Sequence, residues 1–277
     1  MAIVEQSDLS DEEVSNLISK VKFWYHSVEI LPGVVAPGIV PKGDRYPEEK
    51  QVRAIEGLTS IEGKRILEIG TWDGPVAYAL AARGHDVSAC DIQNPQKTGF
   101  NTIGKITGLD VPYVRCSVYE LPDHYEQEFD VVLFMGIFYH LKHPILAFEK
   151  IRDVLKPGGH VIAIGSGMGT YAEQLSGAAV DEGAQVVLDA LGQADDFNIP
   201  LCLSYPGNFM NGDNWFFPNR TALTGWMSAA GFDVGSMTGK QAPNGCQYIN
   251  ALGRKVSGSV SMEHQLIGEQ GGYVSDI

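Results

Sequence analysis

The chain has 277 residues, of which 44% are hydrophobic, enough for one large α/β domain with additions. No apolar run approaches the roughly 18 residues of a membrane span, and the acidic start MAIVEQSDLSDEEV lacks the basic-then-apolar order of a signal peptide. A net charge of −14 argues against non-specific nucleic-acid binding, which depends on Lys and Arg displacing counterions from phosphates.

Ser10-Asp-Glu-Glu13 has the form of a capping box, and Val14, Leu17, Ile18 and Val21 follow at helical spacing, so a helix is predicted over 10–25. It ends in Phe23-Trp-Tyr-His26. Ser27 to Gly38, punctuated by Pro-Gly, reads as a hairpin or loop packed over the main domain. Tyr25 and His26 either face a ligand or dock on the core. Pro47 to Leu58 is the next predicted helix, with Pro47 near its first turn. Residues 1–50 are therefore taken as an N-terminal helix and cap segment, ahead of the main domain at 51–255.

Arg65-Ile-Leu-Glu-Ile-Gly-Thr-Trp-Asp-Gly-Pro75 reads as a buried strand, a tight glycine turn and a helix start, the helix running from Pro75 to about Arg83. Glycine lacks a Cβ, so such a turn lets a ligand lie against bare backbone. Asp86 to Cys90 is a second strand followed by Asp91, an acid placed to accept hydrogen bonds from two ribose hydroxyls. This much indicates a nucleoside-binding α/β domain. A dinucleotide site would want G-x-G-x-x-G; the middle glycine is replaced here by Trp72, and the pattern is E-x-G-x-x-x-G.

A helix is expected over 95–106, then a strand within 111–117. Phe129 to Met135 is a continuous apolar run, as a buried parallel strand requires. It leads into Gly136-Ile-Phe-Tyr-His-Leu-Lys-His-Pro144 and a helix from Pro144 to Leu155 that should bury Leu146, Ile151 and Leu155. Lys156-Pro-Gly-Gly159 reads as a turn and His160 to Ile164 as a strand. The alternation indicates a doubly wound parallel sheet. Residues 166–219 break it and read as an inserted lid, with a helix near 181–191 and an aromatic end containing Tyr205, Phe209, Met210 and Asn214-Trp-Phe-Phe-Pro-Asn219. Between Lys156 and Arg220 there is no Lys or Arg, while Glu173, Asp181, Glu182, Asp189, Asp195, Asp196 and Asp213 fall in that stretch. A helix over 221–230 and strands over 232–237 and 247–253 complete the domain. The tail, 256–277, has little periodicity and reads either as flexible or as ordering against a partner subunit, in keeping with a homo-oligomer. Cys90, Cys116, Cys202 and Cys246 are scattered without C-x-x-C spacing, so neither zinc nor a disulfide framework is expected, and reduced thiols place the chain in the cytoplasm.

Five segments together, Phe23 to Gly33, Glu68 to Gly74, Gly136 to Pro144, Leu155 to Gly159 and Asn214 to Asn219, resemble the class I S-adenosylmethionine (SAM) methyltransferases. The branch is similar to the tRNA wobble-uridine carboxymethyltransferase family and its small-molecule relatives, over roughly residues 23–253. The resemblance implies a seven-stranded Rossmann-like sheet with SAM at the carboxyl ends of its strands. Glu68, Gly70 and Gly74, with Thr71 and Trp72 between them, would shape the methionine side. Asp91 would hold the ribose, with Ile92 beside it. Ser117, Val118 and Met135 would flank the adenine. Tyr139 and His140 would open toward the transferred group. Carboxymethylating members use a lysine in a Lys-Gly-Pro-Phe run of the N-terminal extension. Leu31-Pro-Gly-Val-Val35 has none, which favours ordinary SAM.

The reading is methyl transfer to a small molecule, the acceptor atom (O, N or S) left open, with His140 as the base and Tyr139 beside it. Trp72, Tyr25 and Tyr139 are candidates for cation–π contact with the sulfonium. Tyr25, His26, Trp215, Asn219 and Arg220 are the candidate acceptor contacts, Arg220 being the one nominated for an acidic handle. Two other readings stand beside it: a tRNA wobble-uridine enzyme, which would need a basic track, and a SAM-binding protein without turnover.

Overall fold

A computed structural model describes residues 2–40, 48–168, 186, 194–204, 207, 214–241 and 247–256. Pro47, Tyr205, Phe209, Met210, Cys246, the tail beyond Val256 and all but Val186 of the helix expected at 181–191 lie outside the described residues. Among the described residues no helix is long and apolar enough to cross a membrane.

The first helix, α1, is Asp11–Lys20, and its capping box forms: the Ser10 amide donates to Glu13 Oε2 at 2.9 Å and the Glu13 amide to Ser10 Oγ at 3.4 Å. It stops several residues short of the predicted end. Trp24 folds back, and its indole N–H donates at 3.2 Å to the Ile18 carbonyl, which also accepts from the Val21 amide at the helix end. The hairpin after it is real: β1 (Glu29–Leu31) pairs antiparallel with β2 (Val34–Val35), with Gly33 at φ 79° between them. Helix α2 follows at Glu48–Leu58.

Among the described residues the central sheet contains seven strands. They are β3 (Arg65–Ile69), β4 (Asp86–Asp91), β5 (Tyr113–Arg115), β6 (Phe129–Met135), β7 (Leu155–Gly167), β10 (Phe232–Gln241) and β11 (Gln247–Lys255). Two short strands of the insertion, β8 (Cys202–Ser204) and β9 (Phe216–Pro218), pair separately and antiparallel. The sheet order is β10-β11-β7-β6-β3-β4-β5. The expected parallel sheet is corrected to a mixed one. The block β7-β6-β3-β4-β5 is parallel, but β11 runs antiparallel to both its neighbours. The cause is a direct connection: β10 and β11 are separated by a short segment, which can only return the chain in the opposite direction.

Helices α3 (Pro75–Ala81), α4 (Phe100–Thr107), α5 (Leu121–His124), α6 (Pro144–Val154) and α7 (Arg220–Ala229) connect and cover the strands. Alternate residues of each strand serve opposite faces. Ile66, Val131, Leu133 and Ile162 join one apolar cluster with α3, α4 and the N-terminal segment. Leu67, Val132, Phe134 and Val161 join the other with α6 and α7. In α6 the buried residues are Pro144, Ala147, Phe148, Ile151 and Val154, and Leu146 is only half-buried, a correction to the expected core face. Lys156 to Gly159 forms no clean break before a strand. Instead, Leu155 pairs with Phe129 and His160 with Val131, so the four residues bulge from one long strand, with Gly158 at φ 75°.

The N-terminal segment is built into this body. The Ile3 and Val4 amides donate to Glu29 and Ile30 carbonyls, Ser7 Oγ donates to the Ile106 carbonyl, and Trp24 is buried against α4. A Cβ at Gly99 would lie 1.9 Å from the Trp24 ring. Gly99→Ala is therefore expected to overpack this seam and destabilise the chain by about 1–3 kcal/mol, read as a lower urea midpoint.

Candidate active site

The chain runs from β3 outward through β4 to β5, then crosses back to β6 on the other side of β3. That reversal opens a crevice at the carboxyl ends of β3 and β6, where ligands of open α/β sheets bind. The turn after β3 is shaped by three left-handed residues, Gly70 (φ 73°), Trp72 (φ 50°) and Gly74 (φ 83°). Such a conformation is strained for a bulky side chain, so Trp72 must be held there. Its amide donates to Asp91 Oδ2 at 2.8 Å. A Cβ at Gly70 would meet Ile137 Cδ1 at 2.2 Å, so the turns after β3 and β6 abut.

Glu68 faces inward and organises the turn. One carboxyl oxygen accepts from Thr71 Oγ1 at 2.8 Å and from the Ala77 amide at 2.9 Å. Burial pushes its carboxyl up to about 7, against these two hydrogen bonds, which favour the carboxylate. Between about 4.5 and 7 the native chain keeps a proton that the unfolded chain has shed. Stability is thus expected to fall as pH rises through that window, by up to about 1.4 kcal/mol per pH unit. Asp91, also raised by burial, contributes with the same sign. Urea unfolding at several pH values should show this slope, flattened in Glu68→Gln.

Asp91 ends β4 and is 6% exposed, its Oδ1 accepting from the Gln93 amide at 2.9 Å. Ile92 beside it is 61% exposed, an apolar side chain left open at the mouth of the crevice. Met135 closes the end of β6, and Val118 is buried beyond β5. The Ser117 hydroxyl is already engaged: Ser117 N-caps a 3-10 turn at Val118–Glu120, accepting from the Tyr119 amide at 3.4 Å while Glu120 accepts from the Ser117 amide at 2.8 Å.

Tyr139 and His140 sit in a 3-10 turn, Phe138–His140, anchored by the buried Phe138. Their rings are 4.2 Å apart, and Tyr139 stacks on Phe217 of the insertion at 5.8 Å and 22°. The Trp215 amide donates to the Tyr139 carbonyl at 2.8 Å, and Lys142 Nζ lies 4.7 Å over the Trp215 ring. Trp215 and Phe217 are thus fixed against the turn after β6. Arg220 begins α7, half-buried. Asn219 is its N-cap, with its amide spent inside the fold: Oδ1 accepts from Ala222 and Leu201 amides and Nδ2 donates to the Ile199 carbonyl.

Asp73 is the feature the sequence reading passed over. It is fully buried; Oδ2 accepts from the Tyr25 and His26 amides at 2.9 and 2.8 Å, and Oδ1 from the Gly99 amide at 2.8 Å. Through it Tyr25 and His26 join the same turn, with the Tyr25 ring 5.0 Å from that of Trp72. The signal available was an acid between two residues of a turn expected to face a ligand.

Residues 67–163 match the methyltransferase domain family. A ubiquinone biosynthesis O-methyltransferase of Alkalilimnicola ehrlichii is 32% identical over 105 residues, which are 38% of this chain and 42% of that protein. The seven-strand order and the acid-ended β4 are now accompanied by that match. Residues 67–163 are thus similar to a methyltransferase domain. Solved structures share the methyltransferase fold. The N-terminal domain of EvdMO1 with S-adenosylhomocysteine bound has a TM-score of 0.59 at 16% identity, covering 89% of this chain and 98% of that one. The Burkholderia thailandensis 1,6-didemethyltoxoflavin-N1-methyltransferase, bound to its namesake and S-adenosylhomocysteine, has a TM-score of 0.53 at 18% identity, covering 76% and 78%. The chain spans under half the length of the curated relative named above. The family match includes Glu68, Asp91, Ser117, Met135, Tyr139 and His140. Tyr25, His26 and the Trp215 to Arg220 segment lie outside it.

Proposed function

We propose that this chain transfers a methyl group from S-adenosylmethionine to a small-molecule acceptor, working in the cytoplasm. The observation that carries the reading is the paired turn: a glycine-framed loop after β3 whose backbone is bound to Asp91 at the end of β4. The residues suit the cofactor. Asp91 has a spare lone pair on each oxygen for a ribose hydroxyl. The exposed Ile92 offers an apolar surface to the adenine, which Val118, Met135 and the backbone at Ser117 would flank. Gly70 and Gly74 leave bare backbone for the methionine end. Trp72 Nε1 is buried without a hydrogen-bond partner among the described residues, a donor left over in this turn.

When bound, S-adenosylmethionine supplies a sulfonium-activated methyl group for in-line displacement, leaving S-adenosylhomocysteine. The protein's task is to bring the acceptor atom into line. His140 takes the proton of an oxygen or nitrogen acceptor, and Tyr139 orients it from the adjacent position. The acceptor is neutral, cationic or zwitterionic, because the stretch between Lys156 and Arg220 offers no Lys or Arg to a polyanion. The same fact weighs against the tRNA reading. Titration calorimetry with S-adenosylhomocysteine should give one site per chain. Tight, salt-sensitive tRNA binding in a filter assay would overturn the small-molecule assignment.

A further inference from the structure

Resting on that cofactor reading, we propose that Asp73 is a positioning residue for the methyl-transfer site: it makes the N-terminal segment a wall of the cofactor site by fixing Tyr25 against Trp72. A carboxylate with no exposed surface needs several donors, and here they come from two distant segments. The Tyr25 and His26 amides and the Gly99 amide all point at Asp73, and His26 Nδ1 lies 3.4 Å from Oδ2. Asp73 itself lies in the turn after β3, between Trp72 and Gly74. One side chain therefore ties together the segment after α1, the turn facing the crevice and the start of α4.

The tie has a consequence beyond packing. With its backbone held by Asp73, Tyr25 lays its ring 5.0 Å from Trp72 at 36°, and Phe23 approaches the same indole edge-on at 6.0 Å. Trp72 occupies a left-handed conformation and donates its amide to Asp91. The aromatic contacts from the N-terminal segment thus bear on the residue that links the glycine turn to the ribose-binding carboxylate. A clamp that served only stability could have gripped any part of the body. This one grips the loop that faces the ligand.

The test is hydrogen exchange by mass spectrometry combined with S-adenosylhomocysteine titration on the full chain, for wild type, Asp73→Asn and Tyr25→Ala. In Asp73→Asn the amides of Tyr25, His26 and Gly99 should exchange at least about tenfold faster and the Kd should rise about tenfold, the loss of roughly one hydrogen bond's worth of fixed geometry. Tyr25→Ala keeps the backbone donors, so it should raise the Kd similarly while His26 and Gly99 stay protected. Unchanged affinity in Asp73→Asn despite faster exchange would reduce Asp73 to a structural clamp and overturn the inference. So would lost affinity with protection intact, which would make the carboxylate a ligand contact. If Asp73→Asn fails to fold, Tyr25→Ala decides: an unchanged Kd overturns the inference and a tenfold rise supports it. Wild-type chain that binds no S-adenosylhomocysteine would instead sink the cofactor reading, and this inference with it.

Discussion

His140→Ala is expected to lower kcat by about 10²–10⁴-fold with S-adenosylhomocysteine affinity little changed, the usual worth of a positioned general base. The buried run of β6 fixes the start of the following turn. Phe138 has no exposed surface and locks that turn, so Tyr139 and His140 are presented on a rigid support. The turn abuts the loop after β3 through Ile137 and Gly70, which places it beside the expected methionine end. Phe217 and Trp215 then pack against it. If His140 only positions the acceptor, KM should rise more than kcat falls. A thioether acceptor carries no proton to remove, and neither change need then be large. Near-wild-type kinetics in His140→Ala and in Tyr139→Phe together would place the catalytic centre elsewhere.

Asp91→Ala is expected to raise the S-adenosylhomocysteine Kd by about 10- to 150-fold, from the loss of charge-assisted contacts worth about 1.5–3 kcal/mol. The carboxylate also receives the Trp72 and Gln93 amides, so its removal frees the strained Trp72 turn in addition to removing the proposed ribose contact. Asp91→Asn keeps one acceptor oxygen and should fall between the two. Calorimetry showing unchanged affinity in Asp91→Ala would remove the ribose assignment.

Much of this architecture was legible because local signals and burial agree. The apolar runs of β3 and β6 mark buried strands, and Ser10-Asp-Glu-Glu13 marks a helix start that forms as written. The same signal recurs at Ser117-Val-Tyr-Glu120, where it announces a capped turn that engages the Ser117 hydroxyl. Asn219 likewise stands where an N-cap belongs, one residue before α7. What sequence could not give is contact across long separations. The early end of α1 depends on Trp24 folding back, the antiparallel β11 on which edge the last hairpin joins, and the Asp73 clamp on two segments distant from it in the chain. These are tertiary choices, and local pattern carries little information about them.

The central claim is methyl transfer from S-adenosylmethionine to a small molecule, and one measurement reaches it directly. The full chain is incubated with S-adenosylmethionine labelled in its methyl group, together with a low-molecular-weight metabolite extract and, in parallel, bulk tRNA. Label should enter the small-molecule fraction in amounts equal to the S-adenosylhomocysteine released, with none in tRNA. Label appearing in tRNA, or S-adenosylmethionine recovered unreacted from every mixture, would contradict it.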